Sequence, residues 1–285
     1  MNLTHHADLE PVVPGDVLVS VSLSPYGDLL ALWSDPAGTE ALRSRRTTPG
    51  GASFANSRTP HPVAIRVTTN GALLLEVPAF DLAFPTAHLM PGDTVLAVGR
   101  RAKSGRHNAI HYAADGTTTA TASLGDAIEH VATTRAGDVW VGYFDESDLE
   151  GLVRFGPDLQ PVWRLGDDIV DCYALNVTDH AVWACYYTDF PVVRVENDRV
   201  TSWRNSIGGV TALTVSGANV GLFGGYGEDH DRLVLGTVYD GEFHATGEHR
   251  VTLPDDTPLP AGATVIGRGH ELHVVTEDSW YRLEL

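Results

Sequence analysis

The sequence predicts an all-β protein, a six-bladed β-propeller of four-stranded blades, and three observations predict it. Short apolar segments recur along the 285 residues, each directly after a tight turn: "YGDLLALWSD" at Asp28, "PGDTVLAVGR" at Thr94, "AGDVWVGYFD" at Asp138, "DHAVWACYYTD" at Ala181, "GANVGLFGGY" at Asn219 and "GHELHVVTED" at Glu271. Around each anchor lie further short runs rich in Val, Trp, Phe and Leu, punctuated by Gly, Pro and Asp, so each unit reads as four strands. No segment holds an apolar period of 3.6 over ten or more positions, which leaves almost no helix. A four-stranded unit of roughly 40 residues repeated six times is the pattern of a propeller. The whole chain, residues 1–285, is read as one such domain.

In chain order, the first unit carries a long connection between its second and third strands, at about residues 34–61. The third unit gives "IEHVATT", "DVWVGYF", "GLVRF" and "PVWRL", and the fourth gives "DCYALNV", "AVWACYY", "PVVRV" and "RVTSWR". The inner strands are apolar almost throughout because blades stacked face to face cover them on both sides. The sixth unit supplies only "ATVIGRG", "ELHVVTE" and "SWYRLEL" and is one strand short. Residues 2–13 are expected to furnish that outer strand and so protect an open edge. Two sandwich domains are the rival architecture, and the unbroken repeat argues against them.

Composition narrows the function classes. A formal charge of −18 disfavours nucleic acid as a partner, because neutralising phosphates needs a dense basic surface. No apolar run approaches the roughly 18 residues of a membrane helix, and "MNLTHHADLEPVVPGD" has neither a basic start nor an apolar signal core. A cytoplasmic protein with no membrane partner is therefore expected. Cys172 and Cys185 are too few for a disulfide framework and read as small core residues facing one another across a turn, directly or with a slip. Lys103 is the only lysine among 19 basic residues, a bias that suggests a GC-rich bacterial genome.

Functional length is concentrated at one end of the blades. The turns between first and second strands are all short, whereas the connections between second and third strands include 34–61, "RRAKSGRH", "DESDLE" and "GYGEDHD". Long connections grouped on one face mark where a ligand or partner binds. Charge is sorted there too. The first two connections hold Arg43, Arg45, Arg46, Arg58, Arg100, Arg101, Lys103 and Arg106, while Asp145, Glu146, Asp148 and Glu150 lie in the third and Glu228, Asp229 and Asp231 in the fifth.

Aligning the blades on their turns places Val19, Pro85, Glu129, Cys172, Val210 and Gly262 at one level near the channel mouth, with His130, Tyr173 and Thr211 one step along. Glu129 is the only acid at its level. Asp171 lies just outside it, and Asp145 and Asp189 enter from the ends of second strands. Glu129, Asp145 and Asp171 could hold a hard divalent cation, calcium first, or one could act as a general base. A structural reading, with Glu129 paired to an arginine or a backbone amide, stands beside it. His130 neighbours Glu129 but leaves a regular strand on the opposite face, so it joins the site only at a bulge. Tyr143, Tyr173, Tyr186, Tyr187 and Tyr226 are candidates to stack a ligand, with Arg100 and Arg101 as candidate anion contacts.

The repeat, the expected closure and a glutamate at the channel mouth resemble the gluconolactonase-like six-bladed propellers. That resemblance implies a divalent cation held by a glutamate, an asparagine and an aspartate, and the opening of sugar lactones. It puts Glu129 in the glutamate's place and Asp171 or Asp145 in the aspartate's. "IEHV" stands where the family has a Glu-Gly-Pro context, and no asparagine occupies an equivalent level.

The expectation that results is a small-molecule-binding propeller, a hydrolase or lyase acting on a small polar substrate with Glu129, His130, Asp171 and Tyr173 as its catalytic candidates. The alternative is a non-catalytic scaffold that binds a protein partner through its charge-polarised loop face.

Overall fold

The computed structural model describes residues 1–103, 105–147, 151–165 and 169–285. Asp148 and Glu150, two of the acids of the third connection, lie outside the described residues. The chain forms six four-stranded antiparallel sheets, the blades of a β-propeller. They comprise Val17–Leu23, Leu29–Ser34, Arg58–Thr69 and Ala72–Leu82 in the first blade, and Pro85–Met90, Thr94–Gly99, Ala109–Tyr112 and Thr118–Ala122 in the second. The third takes Ile128–Thr133, Val139–Tyr143, Leu152–Phe155 and Pro161–Leu165, and the fourth Asp171–Val177, Val182–Tyr187, Val192–Glu196 and Arg199–Trp203. Val210–Ser216, Asn219–Gly224, Arg232–Tyr239 and Glu242–Arg250 make the fifth.

The sixth blade contains Thr264–Arg268, Glu271–Val275 and Ser279–Glu284, and its outer strand is Thr4–Asp8 from the other end of the chain. Thr4 pairs with Arg282, His5 with Tyr281 and Asp8 with Ser279, so the expected closure is present. It is anchored on either side of the strand. Leu3 is buried, its amide donates to the Thr252 carbonyl, and the Leu9 amide donates to Asp278.

The chain divides into two compact units. Glu10–Leu149 with Val153–Val162 holds most of the first three blades, and Met1–Leu9 with Glu150–Leu152 and Trp163–Leu285 holds the fourth to sixth. Each has its own interior. In the first unit Leu32, Ile65, Val67, Leu82 and Ala97 form one core, and Leu96, Val98, Val139, Val141 and Tyr143 another. In the second unit Ala174, Cys185, Val192, Leu213 and Leu222 pack together, as do Ala212, Phe223, Leu233, Leu272 and Val274. The second strands are buried nearly end to end, as face-to-face packing of blades demands.

Polar side chains on first strands tie neighbouring blades of the same unit. Ser22 and Thr133 donate to the carbonyls of Ala87 and Leu89, and the fully buried Asn176 donates to Leu213 and Gly269 while accepting from the Gly269 amide. Gly267 is required beside this bolt, since a Cβ there would fall 1.8 Å from the Leu213 carbonyl oxygen.

The long connection of the first blade contains more structure than its Ser, Thr, Gly and Pro content suggests. Asp35 caps a short helix, Pro36–Leu42, by accepting from the Gly38 amide, and Pro36 at its first turn needs no amide partner. A small hairpin of Arg45–Thr47 and Ser53–Ala55 follows, before the third strand starts at Arg58.

Candidate functional site

The first strands of four blades share one irregularity. Register shifts fall between Leu18 and Ser20, Ile128 and His130, Cys172 and Ala174, and Val210 and Ala212, leaving Val19, Glu129, Tyr173 and Thr211 without a cross-strand partner. Each is a bulge at the strand end facing the long connections, and a bulge re-aims the extra side chain. Glu129, Tyr173 and Thr211 are therefore equivalent positions. The sequence alignment set Tyr173 and Thr211 level with His130, and the bulge moves that register by one. The same slip pairs Cys172 with Tyr186 and Ala174 with Cys185. Both thiols are fully buried, and burial with the neighbouring Cys172 pushes the Cys185 thiol far up.

In the third blade the bulge is closed by arginine. Arg100, on the connection between second and third strands of the second blade, donates from Nε to the Ile128 carbonyl at 2.9 Å and from Nη2 to the Glu129 carbonyl at 3.0 Å, and also pairs with the Glu129 carboxylate. Arg101 bridges Asp126 at 3.1 Å and Glu146 at 2.5 Å, and Asp126 also accepts from the Ala102 amide. Glu129 is thus engaged as its structural reading supposed. Tyr143 is completely buried with its hydroxyl donating to the Leu124 carbonyl, so it packs the blade interior and does not face a ligand, contrary to the sequence expectation. His130, paired opposite Gly142, is partly exposed and Asp145 is exposed; each keeps interactions of its own.

The fourth and fifth blades carry a different group. Phe190, left-handed at φ 47° and buried after the second strand of the fourth blade, sits edge-on to three tyrosines. Its ring centroid is 5.2 Å from Tyr173, 5.9 Å from Tyr187 and 6.1 Å from Tyr226. Tyr226 comes from the connection of the fifth blade, and Gly208 packs beneath, where a Cβ would lie 3.4 Å from Tyr226 and 3.5 Å from Phe190. Tyr226 is 60% and Tyr187 40% exposed, so the buried hub presents two rings outward. Hydrogen bonding to Tyr226, then burial, pushes the Tyr173 phenol up to about 12, with the Asp171 charge contributing. Asp171 is the cross-strand partner of Tyr187, and Asp189 immediately precedes Phe190.

The structure therefore brings Tyr173, Tyr187, Tyr226, Asp171 and Asp189 to one locality, and Arg100, Arg101 and Glu129 to another. Phe190 is the residue sequence reasoning missed; the signal was an aromatic in "TDFP" immediately after a strand end. Three acids of the connections are locally compensated: Glu146 by Arg101, Asp231 by Arg250, and Asp229 by both Arg250 and Arg232. Among the described residues, no three His, Cys, Asp or Glu side chains gather as a group able to hold a metal ion. Nor, among the described residues, is any helix long and apolar enough to cross a membrane. A cavity of about 370 Å³ opens elsewhere, between the fifth and sixth blades, lined by Thr214, Gly221, Leu235 and His270 among others, and includes none of the candidate residues.

A family model described as the YxzG family matches residues 162–222, from the outer strand of the third blade through the fourth blade to the start of the fifth. No curated protein matches the chain by sequence. Among solved structures, a catalytically inactive virginiamycin B lyase from Staphylococcus aureus with quinupristin superposes with TM-score 0.51 at 10% identity, covering 98% of each chain. The WD40 domain of Pan2 from Neurospora crassa gives 0.55 at 7% identity over 99% of this chain and 95% of that one. A functionally unknown protein from Desulfotomaculum acetoxidans gives 0.54 at 9% identity, covering 90% and 78%. At these identities the likeness is one of fold, and the fold is the six-bladed β-propeller expected from the repeat.

Proposed function

We propose that this chain binds a small polar molecule at the loop end of its fourth and fifth blades, over the tyrosines that surround Phe190. The observation that carries the reading is the pair of outward rings, Tyr187 and Tyr226, held on a buried aromatic hub. Rings fixed by packing lose little entropy when a ligand stacks on them, and their hydroxyls add hydrogen bonds at the rim. Tyr173 is protonated at physiological pH, as an ordinary phenol is, and its hydrogen bond to Tyr226 helps push it up to about 12; it would donate to a ligand oxygen or nitrogen that takes the place of Tyr226. Asp171 and Asp189 would supply the acceptors.

In the catalytic form of this reading, a hydrolase or lyase, Asp171 is the proton acceptor and Tyr173 the donor. Glu129, His130, Asp145, Arg100 and Arg101 form a second candidate group, in which Arg100 sets the orientation of Glu129. The fold hosts both a lyase and a WD40 domain among its solved likenesses, so the argument rests on the side chains and not on the architecture.

The test is a thermal-shift screen of small polar metabolites against the wild type and the Tyr187→Ala and Tyr226→Ala variants. A compound that raises the wild-type Tm should raise that of neither variant. Compounds that stabilise all three proteins equally would place the ligand elsewhere, and stabilisation by no small molecule would favour the protein-partner alternative.

A further inference from the structure

We infer that the molecule taken at the tyrosine cluster is a small organic cation, an alkyl or quaternary ammonium, held over the rings of Tyr187 and Tyr226 beside Asp171 and Asp189. The inference rests on the tyrosine site proposed above and adds the class of ligand.

Three observations lead to it. The first is ring geometry. Phe190 meets Tyr173, Tyr187 and Tyr226 at interplanar angles of 79°, 67° and 78°, so each contact is edge to face. With Tyr187 and Tyr226 40% and 60% exposed, aromatic surface remains open to solvent. The face of a phenol ring carries negative potential and attracts a cation at about 6 Å or less.

The second is the placing of the acids. Asp171 and Tyr187 are directly opposed in an antiparallel pair, so their side chains leave the sheet on the same face and stand as near neighbours. Asp189, at φ 31°, lies between Tyr187 and Phe190 in the turn that delivers the hub. A cation over Tyr187 is thereby close to the carboxylate opposed to it across the strand pair, with a second acid two residues along the chain. An anionic ligand would meet both.

The third is the local balance of basic groups. The guanidinium of Arg232, whose Nη2 would lie 3.0 Å from a Cβ on Gly225, is 3.1 Å from Asp229, and Arg204 pairs with Glu242 at 2.5 Å. Each of these two guanidinium groups thus already holds a carboxylate. The chain as a whole bears −18, which draws cations toward it and raises their association rate at low salt.

Choline and its neutral isostere 3,3-dimethyl-1-butanol separate charge from shape. Titration of the intact protein followed by NMR should show saturable choline binding, with the isostere at least tenfold weaker. Tyr226→Ala and Tyr187→Ala should each weaken choline at least tenfold while melting like the wild type. Asp171→Asn should weaken it severalfold and flatten its salt dependence. Equal affinity for the isostere would overturn the cation and leave the tyrosine site standing. Choline binding untouched by both tyrosine variants would overturn the location. Absence of choline binding, alongside a screen compound lost in the tyrosine variants, would overturn the ligand class alone.

Discussion

The third and fourth blades begin with the same backbone device and put it to different use. In each, one residue of the first strand has no partner on the second, Glu129 in the one and Tyr173 in the other. Around Glu129 the irregularity is sealed: Arg100 takes the carbonyls of Ile128 and Glu129 together with the Glu129 carboxylate. Arg43 does the same for the first blade, donating to the carbonyls of Leu18 and Val19. Around Tyr173 the irregularity feeds an aromatic cluster whose outer members reach solvent. A bulge alone therefore does not make a site. What surrounds its displaced side chain decides whether the position is sealed by an arginine or joins a cluster that reaches solvent.

The largest expected effect tests whether the blades compared here share one stability. We propose that residues 1–285 form one propeller domain, so deleting Met1–Leu9 should lower the melting of the third and fourth blades together. It strips the sixth blade of its outer strand and of buried Leu3, a loss of several pairings and a core side chain. Calorimetry should show a single transition moved down by about 10 °C or more. Two transitions, only one of them shifted, would mean that the units containing the two blades unfold separately.

Acid comes next, because each unit buries a histidine. Burial lowers His88, in the second blade, to about 3, and lowers His273, in the sixth, to about 4. Their unfolded counterparts take up a proton near 6.5, so the unfolded chain binds more protons below that pH. The stability held in full above pH 6.5 is therefore lost as pH falls toward 4 and then 3. Between pH 6.5 and 4.5 each histidine should cost about 2 to 3 kcal/mol, read by denaturant titration across that range. Flat stability over the window would show that these imidazoles titrate freely.

Phe190→Ala should cost about 3 kcal/mol, the ordinary penalty for emptying a buried aromatic site, and should release Tyr226 to react faster with a tyrosine-nitrating reagent. Arg100→Ala should cost less, about 1 to 2 kcal/mol, because the ion pair it breaks is partly exposed. Glu129→Gln should fall below 1 kcal/mol, since the carbonyl contacts of Arg100 survive. A reversed order, with Glu129→Gln the more damaging, would show that the carboxylate has a role beyond holding its arginine.

Much of the fold was legible because a repeat signals itself. Six apolar segments after six tight turns gave the blade count, and the missing strand after "SWYRLEL" pointed to Thr4–Asp8. The site was less legible, since bulges are properties of a strand pair and leave no mark on either strand alone. Alternation along "DCYALNV" puts Tyr173 in a regular strand; only pairing with "VWACYY" reveals the extra residue. Tyr143 corresponds in the pairing to Tyr186, one residue further into the blade than exposed Tyr187, and the sequence does not show that this step separates a buried ring from an exposed one. The charge sorting was visible, but its partial cancellation by Arg101 and Arg250 depends on contacts between segments separated in the chain. The helix Pro36–Leu42 escaped because seven residues carry too short a period to be seen.

The bulged residue also bears on how such a chain can change. A strand residue with a partner is constrained twice, by its own face and by the side chain opposite, whereas Val19, Glu129, Tyr173 and Thr211 answer to neither cross-strand neighbour. A valine, an acid, a phenol and a hydroxyl fill the same socket in one molecule while the apolar registers on either side persist. The propeller can thus exchange chemistry at these four points without recasting a blade, and duplicated units can diverge in what they hold while remaining alike in how they fold.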